Sequence, residues 1–152
     1  MKASDDLSQI ERFHLLSNVP IFAGISMEEQ RILADKSILE NREPNEIVIE
    51  QGEVGHCLYI ILQGHVLVTV QNKSKIWKRI TTLGPGNIFG EIAVIRNIPR
   101  TARISTIEAC QFLTVRAEDF LEFYQYLSAR ARDNIQIVIA KRLQELGSFA
   151  YL

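Results

Sequence analysis

Between residues 38 and 116 the chain breaks into short β-branched and aromatic runs, each stopped by Gly, Pro, Asn or Asp. Helix-type spacing occurs only on either side of that block. The runs expected to be strands are Ile38–Arg42, Glu46–Glu50, Cys57–Gln63, His65–Gln71, Trp77–Leu83, Ala102–Thr106 and Cys110–Val115. Strands this closely spaced, with tight turns between them, favour an antiparallel barrel or jelly roll over a parallel sheet. The expected class is therefore mainly β with flanking α.

Upstream, Leu7, Ile10, Phe13 and Leu16 recur at helical spacing, which predicts a helix from about Asp5 to Ser17, ended by Pro20. Ser26-x-x-Glu29 is a capping box ahead of Ile32 and Leu33 and predicts a second helix over Met27–Lys36. Downstream, helices are expected over Ala117–Tyr126 and about Ser128–Leu146. In the last one Ile135, Ile139, Leu143 and Leu146 share a stripe while Ile137 and Val138 point elsewhere. That girdle is wider than one packing face needs, so the helix is expected to touch something besides its own barrel. With no linker, repeat or low-complexity stretch, residues 1–152 read as one domain: N-terminal helices at 1–37, the strand block at 38–116 and two C-terminal helices at 117–146.

At 152 residues and 47% hydrophobic, the chain can bury one proper core. Its formal charge of −1 gives no global reason to expect nucleic acid or a membrane as partner. The distribution is uneven. Lys73, Lys75, Lys78, Arg79, Arg96, Arg100 and Arg103 fall in one stretch with a single acid, Glu91, and leave the remainder net negative. That excess suits a small anionic ligand, although the charges from Lys73 to Arg79 are read as merely solubilising a hairpin tip. Cys57 and Cys110 lie in apolar strand-like runs without CxxC spacing and read as buried, reduced thiols. The N-terminus lacks an apolar segment and no run approaches a membrane span, so a soluble cytoplasmic protein is expected.

The chemistry concentrates in Phe89 to Arg103, FGEIAVIRNIPRTAR. A short helix begins at Gly90 with Glu91 at its start, Pro99 forces the chain out of it, and Arg100 follows at once. A helix start attracts an anion, and a guanidinium is a natural fork for phosphate. A carboxylate there would repel that phosphate and needs another role, such as accepting hydrogen bonds from sugar hydroxyls. Phosphate and ribose side by side, in a cassette too short for a pyrophosphate loop, point to a compact nucleotide.

The run FGEIAVIRNIPRTA, Phe89 to Ala102, resembles the phosphate-binding cassette of cyclic nucleotide-binding domains, the module of the cAMP-dependent kinase regulatory subunit, the bacterial catabolite activator protein and cyclic-nucleotide-gated channels. The likeness extends upstream through Glu50–Val70, whose Gly52, Gly55 and Gly64 fall where that family's β-roll turns sharply, and through LGPGNIFGE, Leu83 to Glu91. It implies an antiparallel β-roll, a double-stranded β-helix or cupin-like jelly roll, with the cassette at 89–103. It also implies a non-enzymatic, stand-alone sensor of a cyclic purine nucleotide, cAMP ahead of cGMP. In that reading the cyclic phosphate sits on backbone N–H groups from Gly90 through Ala93, with Phe89 before them and Ile92 among them. Arg100 clamps the phosphate and pairs with Glu91 when the site is empty, and Glu91 reads the ribose 2′-hydroxyl. Thr101 offers a hydroxyl and an N–H beside the phosphate and keeps cGMP open, and small Ala102 lets its N–H approach. Arg103 departs from the family's threonine or serine; alternation turns it away from Ala102 and leaves it solvated. Purine contacts are expected from Val68 or Val70, with Ile135, Ile139 or Arg142 as a lid on the final helix.

Enzymatic signatures do not compete well. A cupin metal site needs an HxH pair, and His14, His56 and His65 offer none; GxSxG and P-loop sequences are absent too. No metal or further cofactor is therefore expected. Ligand capture in the family draws the cassette inward and swings the C-terminal helices. With six residues after Leu146, no helix-turn-helix is expected to follow, so the signal would pass to a protein effector or a second copy through the wide apolar helix. The alternative is an interaction or structural domain whose pocket is unused or takes another small anion.

Overall fold

The computed structural model describes residues 8–147, so Leu7 and the expected first turn of the first helix lie outside the described residues. Helix α1, Gln9–Leu16, opens on Ser8, whose hydroxyl accepts from the Glu11 N–H at 3.1 Å while the Glu11 carboxylate accepts from the Ser8 N–H at 3.0 Å. The expected box at Ser26 and Glu29 opens α2, Met27–Lys36, in the same way. Pro20 does not end α1, which stops at Leu16. It begins a 3-10 turn, Pro20–Phe22, at a position where its missing N–H leaves nothing unsatisfied.

The strands follow as β1 (Ile38–Arg42), β2 (Ile47–Ile49), β3 (Cys57–Gln63), β4 (Val66–Gln71), β5 (Trp77–Leu83) and β6 (Ile88–Phe89). Helix α3 (Glu91–Arg96) precedes β7 (Arg103–Thr106) and β8 (Cys110–Arg116), and α4 (Ala117–Gln125) and α5 (Ala129–Leu146) close the described chain. Two four-stranded sheets result, ordered β1-β8-β3-β6 and β2-β7-β4-β5, with every pairing antiparallel. This is the antiparallel roll with flanking helices that the strand spacing predicts. Strand β6 has only two residues and escapes sequence reading, yet it seats Phe89 and Ile88 opposite Tyr59 and Ile60.

The two sheets carry different patterns for a physical reason. Strand β3 is buried on both faces: Leu58 and Ile60 meet the helices, whereas Tyr59 and Ile61 meet the roll interior. It therefore reads as an unbroken apolar run. Strand β4 alternates instead, with Val66, Val68 and Val70 buried and Leu67, Thr69 and Gln71 half-exposed, because its outer face is solvated. The helix-side core joins Leu16, Phe22, Leu33, Phe120, Phe123, Ile135 and Ile139 to the outer face of the first sheet. Asn134 fastens α5 to the 3-10 turn, its side-chain amide donating to the carbonyls of Ile21 at 3.0 Å and Pro20 at 3.3 Å. Val138 packs on the same core, so of the wide girdle on α5 only Ile137 stays well exposed. Cys110 is buried as expected, but Cys57 is only half-buried; both are free thiols.

Candidate functional site

Gly90 joins β6 to α3 in the left-handed region, at φ +85°. A Cβ there would sit 2.8 Å from Arg100 Nη1 and 3.3 Å from the Cys57 carbonyl oxygen, so both conformation and space demand glycine. Gly55 supports the same spot, since its Cβ would lie 3.0 Å from both Ala93 Cβ and Arg100 Cζ. Asn97, at φ +51°, ends α3 and lets Pro99 lead the chain back. The Arg100 backbone is then clamped between neighbours: its N–H donates to the Glu53 carbonyl and its carbonyl accepts from the Gly52 N–H, both at 2.8 Å.

A cavity opens at this end of the roll. Its walls come from the start of α3, from the segment Arg100–Ala102, from the inner faces of both sheets and from the last turns of α5. Of the residues expected to bind the ligand, Phe89, Gly90, Glu91, Ile92, Ala93, Arg100, Thr101, Ala102 and Val68 border it. Glu91 and Arg100 thus face one pocket. Phe89 is held by Tyr59, stacked at 4.8 Å between centroids, and by the edge of Phe112.

Five expectations need correction. Val70 does not reach the cavity; it shares an inward face with Val68 but is completely buried within the roll interior. Ile135 and Ile139 are not lid residues, because both are fully buried in the helix-side core. Arg142, one turn further along α5, is the candidate that borders the cavity, joined by Glu145 and Leu146, which sequence reasoning did not single out as site residues. Leu146 packs against the roll-interior cluster, and its place on the stripe of Ile139 was the available signal.

The other two corrections concern the charges. Glu91 does not pair with Arg100. Its carboxylate, 1% exposed, accepts from Arg142 Nη1 at 2.7 Å. Arg100, 7% exposed, spreads its fork over two carbonyls instead, Nη1 donating to Gly90 at 2.8 Å and Nη2 to Cys57 at 2.7 Å. Those carbonyls lie in its path, and Arg142 already satisfies Glu91. Burial pushes the Glu91 carboxyl above its ordinary value, opposed chiefly by the Arg142 charge and more weakly by that of Arg100. Burial also pulls Arg100 below the usual guanidinium value, while Cys57, Tyr59, Glu91 and Glu53 push back. Arg103 points away from the cavity as expected, but it is not simply solvated: it forks onto Glu50 at 2.8 and 3.1 Å. Among the described residues no group of three His, Cys, Asp or Glu side chains is placed to hold a metal ion, and no helix is long and apolar enough to cross a membrane.

Comparison with known proteins gives this site its context. The family model described as cyclic nucleotide-binding domain matches residues 39–126, and the chain belongs to that family. A cAMP-dependent protein kinase regulatory subunit of Yarrowia lipolytica is 30% identical over 105 residues, covering 69% of this chain and 27% of that protein. The cyclic AMP receptor protein of Thermus thermophilus is 26% identical over 126 residues, covering 83% of this chain and 58% of its own length. The chain thus spans less than two thirds of either relative. Among solved structures, the regulatory domain of Toxoplasma gondii PKA with cAMP superposes with a TM-score of 0.79 over 90% of this chain and 50% of that one, at 22% identity, which establishes the shared fold. By name these relatives are a regulatory subunit, a receptor protein and a regulatory domain.

Proposed function

From this membership we propose that the chain is a non-enzymatic sensor of a cyclic purine nucleotide, cAMP ahead of cGMP, that signals to a protein partner through α5. The observation that carries the reading is the placement of Glu91 and Arg100 on one cavity. A cyclic phosphate takes the N–H groups that Arg100 has not committed to carbonyls, with the open N–H groups at the start of α3 beside it. The ribose 2′-hydroxyl donates to Glu91, and Val68 lies among the apolar side chains that receive the base. Two relatives whose names specify cAMP support that order of preference, and Thr101 on the cavity wall keeps cGMP open. No further cofactor enters the scheme.

The relay follows from Arg142. A ribose hydroxyl that reaches Glu91 competes with the guanidinium already bound there, and a base entering the roll competes with Leu146 for apolar surface. Either loosens the last turns of α5, which then become available to an effector or a second copy of the chain. Hydrogen exchange with and without nucleotide should change beyond Ile139; unchanged protection there would remove the relay.

A second reading draws on the same contacts. Both charged groups are satisfied without a ligand, as befits a β-roll kept for protein contacts with its pocket unused or open only to another small anion. Calorimetric titration with cAMP, cGMP, 2′-deoxy-cAMP and 5′-AMP separates the two. Binding of cAMP, with weaker binding of the deoxy and linear compounds, supports the sensor; absence of heat with all four selects the alternative. A charge-assisted hydrogen bond in a desolvated site is worth about 1.5–3 kcal/mol. Arg100→Ala should therefore weaken cAMP roughly tenfold to a hundredfold or more, and an unaltered affinity would sink the phosphate role.

A further inference from the structure

From Val54 through Gly90 the sequence contains no Asp or Glu, and the basic residues of that stretch gather at the far end of the β4–β5 hairpin. Lys73, Lys75, Lys78 and Arg79 are all exposed there. Between them Ile76 is 57% exposed and Trp77 39% exposed. Lysines alone would only solubilise a hairpin tip, as the sequence reading holds. An isoleucine and a tryptophan at the apex work against solubility, and the structure holds them rigidly in place.

The rigidity has three sources. The Asn72 side-chain carbonyl accepts from the N–H groups of Ser74 at 2.9 Å and Ile76 at 3.0 Å, while Lys75 closes the turn at φ +67°. Gln51 bonds both backbone groups of Gln71, at 2.8 and 2.9 Å, and pins the end of β4. Arg103 lies over the Trp77 ring with its guanidinium carbon 4.0 Å from the centroid, itself fixed by Glu50. The apex is thus displayed with little entropy left to lose.

We propose that this hairpin is a docking element for an anionic phospholipid surface. Ile76 and Trp77 enter the boundary between headgroups and acyl chains, and Lys73, Lys75, Lys78 and Arg79 meet the lipid phosphates and carboxylates. Amphipathic aromatic rings settle at that depth, and nearby lysines and arginines are drawn to the negative leaflet. A bilayer suits the apex better than a nucleic acid. Ile76 has no counterpart on a sugar–phosphate backbone, and Arg103 already covers one face of the ring that a base would stack on. The overall charge of −1 conceals this segregation.

Trp77 is the chain's single tryptophan, so its emission reports the apex directly. The full chain should be titrated with vesicles of phosphatidylcholine alone and with phosphatidylserine added, at low and at raised salt. A blue shift with co-sedimentation on the anionic vesicles only, weakened by salt, is the expected result. Lys73→Gln with Lys75→Gln should lower partition on the order of tenfold to thirtyfold. Ile76→Ser should lower it severalfold at unchanged unfolding midpoint. Absence of a shift, equal binding to both vesicles, indifference to salt or to these variants, or a response to a single-stranded oligonucleotide but not to vesicles overturns the proposal. No cyclic nucleotide enters this assay, so its outcome does not depend on what the cavity binds.

Discussion

Along α5, Ala131, Ile135 and Ile139 disappear into the helix-side core, whereas Arg142, Glu145 and Leu146 border the cavity. One amphipathic stripe serves both stretches, and they overlap, because Leu143 still packs on the helix-side core beyond Arg142. The first half faces other apolar side chains and is fastened by Asn134 to the 3-10 turn. The second half faces a buried carboxylate and the mouth of the roll. An anchored segment and a segment poised over charge thus share a continuous backbone, so whatever disturbs Glu91 acts on a lever whose base is fixed.

The sharpest test of that division is Ile139→Ala. It removes a fully buried side chain from the helix-side core and should cost about 2–5 kcal/mol in chemical denaturation. A loss well under 1 kcal/mol would show that the anchor lies elsewhere. The pocket half should respond to pH instead. Because burial holds the Glu91 carboxyl above its ordinary 4.5 in the folded chain, its contribution to stability is full below the unfolded value. That contribution is lost as pH rises through the raised value. Glu91→Gln is neutral throughout and can still accept from Arg142. Relative to the parent its stability should therefore improve as pH rises from the unfolded carboxyl value through the raised folded one, and a decline over that interval would mark the carboxylate as structural. The smallest effect belongs to Leu146→Ala, expected below about 1 kcal/mol because this side chain is only half-buried where it packs against the roll-interior cluster. A loss matching that of Ile139→Ala would erase the distinction between the two halves.

Much of this architecture was legible in the residues. The apolar and β-branched runs located β3 and β4 within a residue of expectation, and the box at Ser26 set the start of α2, whereas the matching box at Ser8, which starts α1 later than the expected Asp5, went unread. Glu91 and Arg100 were legible as neighbours of one cavity because Gly90 and Pro99 constrain the chain between them. What sequence could not supply was depth. Periodicity gives Val68 and Val70 the same face, and Ile139 and Leu146 the same stripe, without saying which of each pair lies at an open end. Partnership was hidden for a similar reason: Arg142 is 51 positions from Glu91 in sequence, and no local pattern announces their bond. The Gly90 and Cys57 carbonyls that occupy Arg100 are backbone groups, invisible to any reading of side-chain types.

The grip of Arg100 on those two carbonyls has a consequence for any anion that arrives. Its long side chain is immobilised when the chain folds, so the freedom lost in fixing it is charged to folding and not to capture. The same fork stitches the first residue of β3 to the start of the cassette. Lysine would bring equal charge with a single nitrogen, unable to span both oxygens, and would have to be ordered afresh by each visitor.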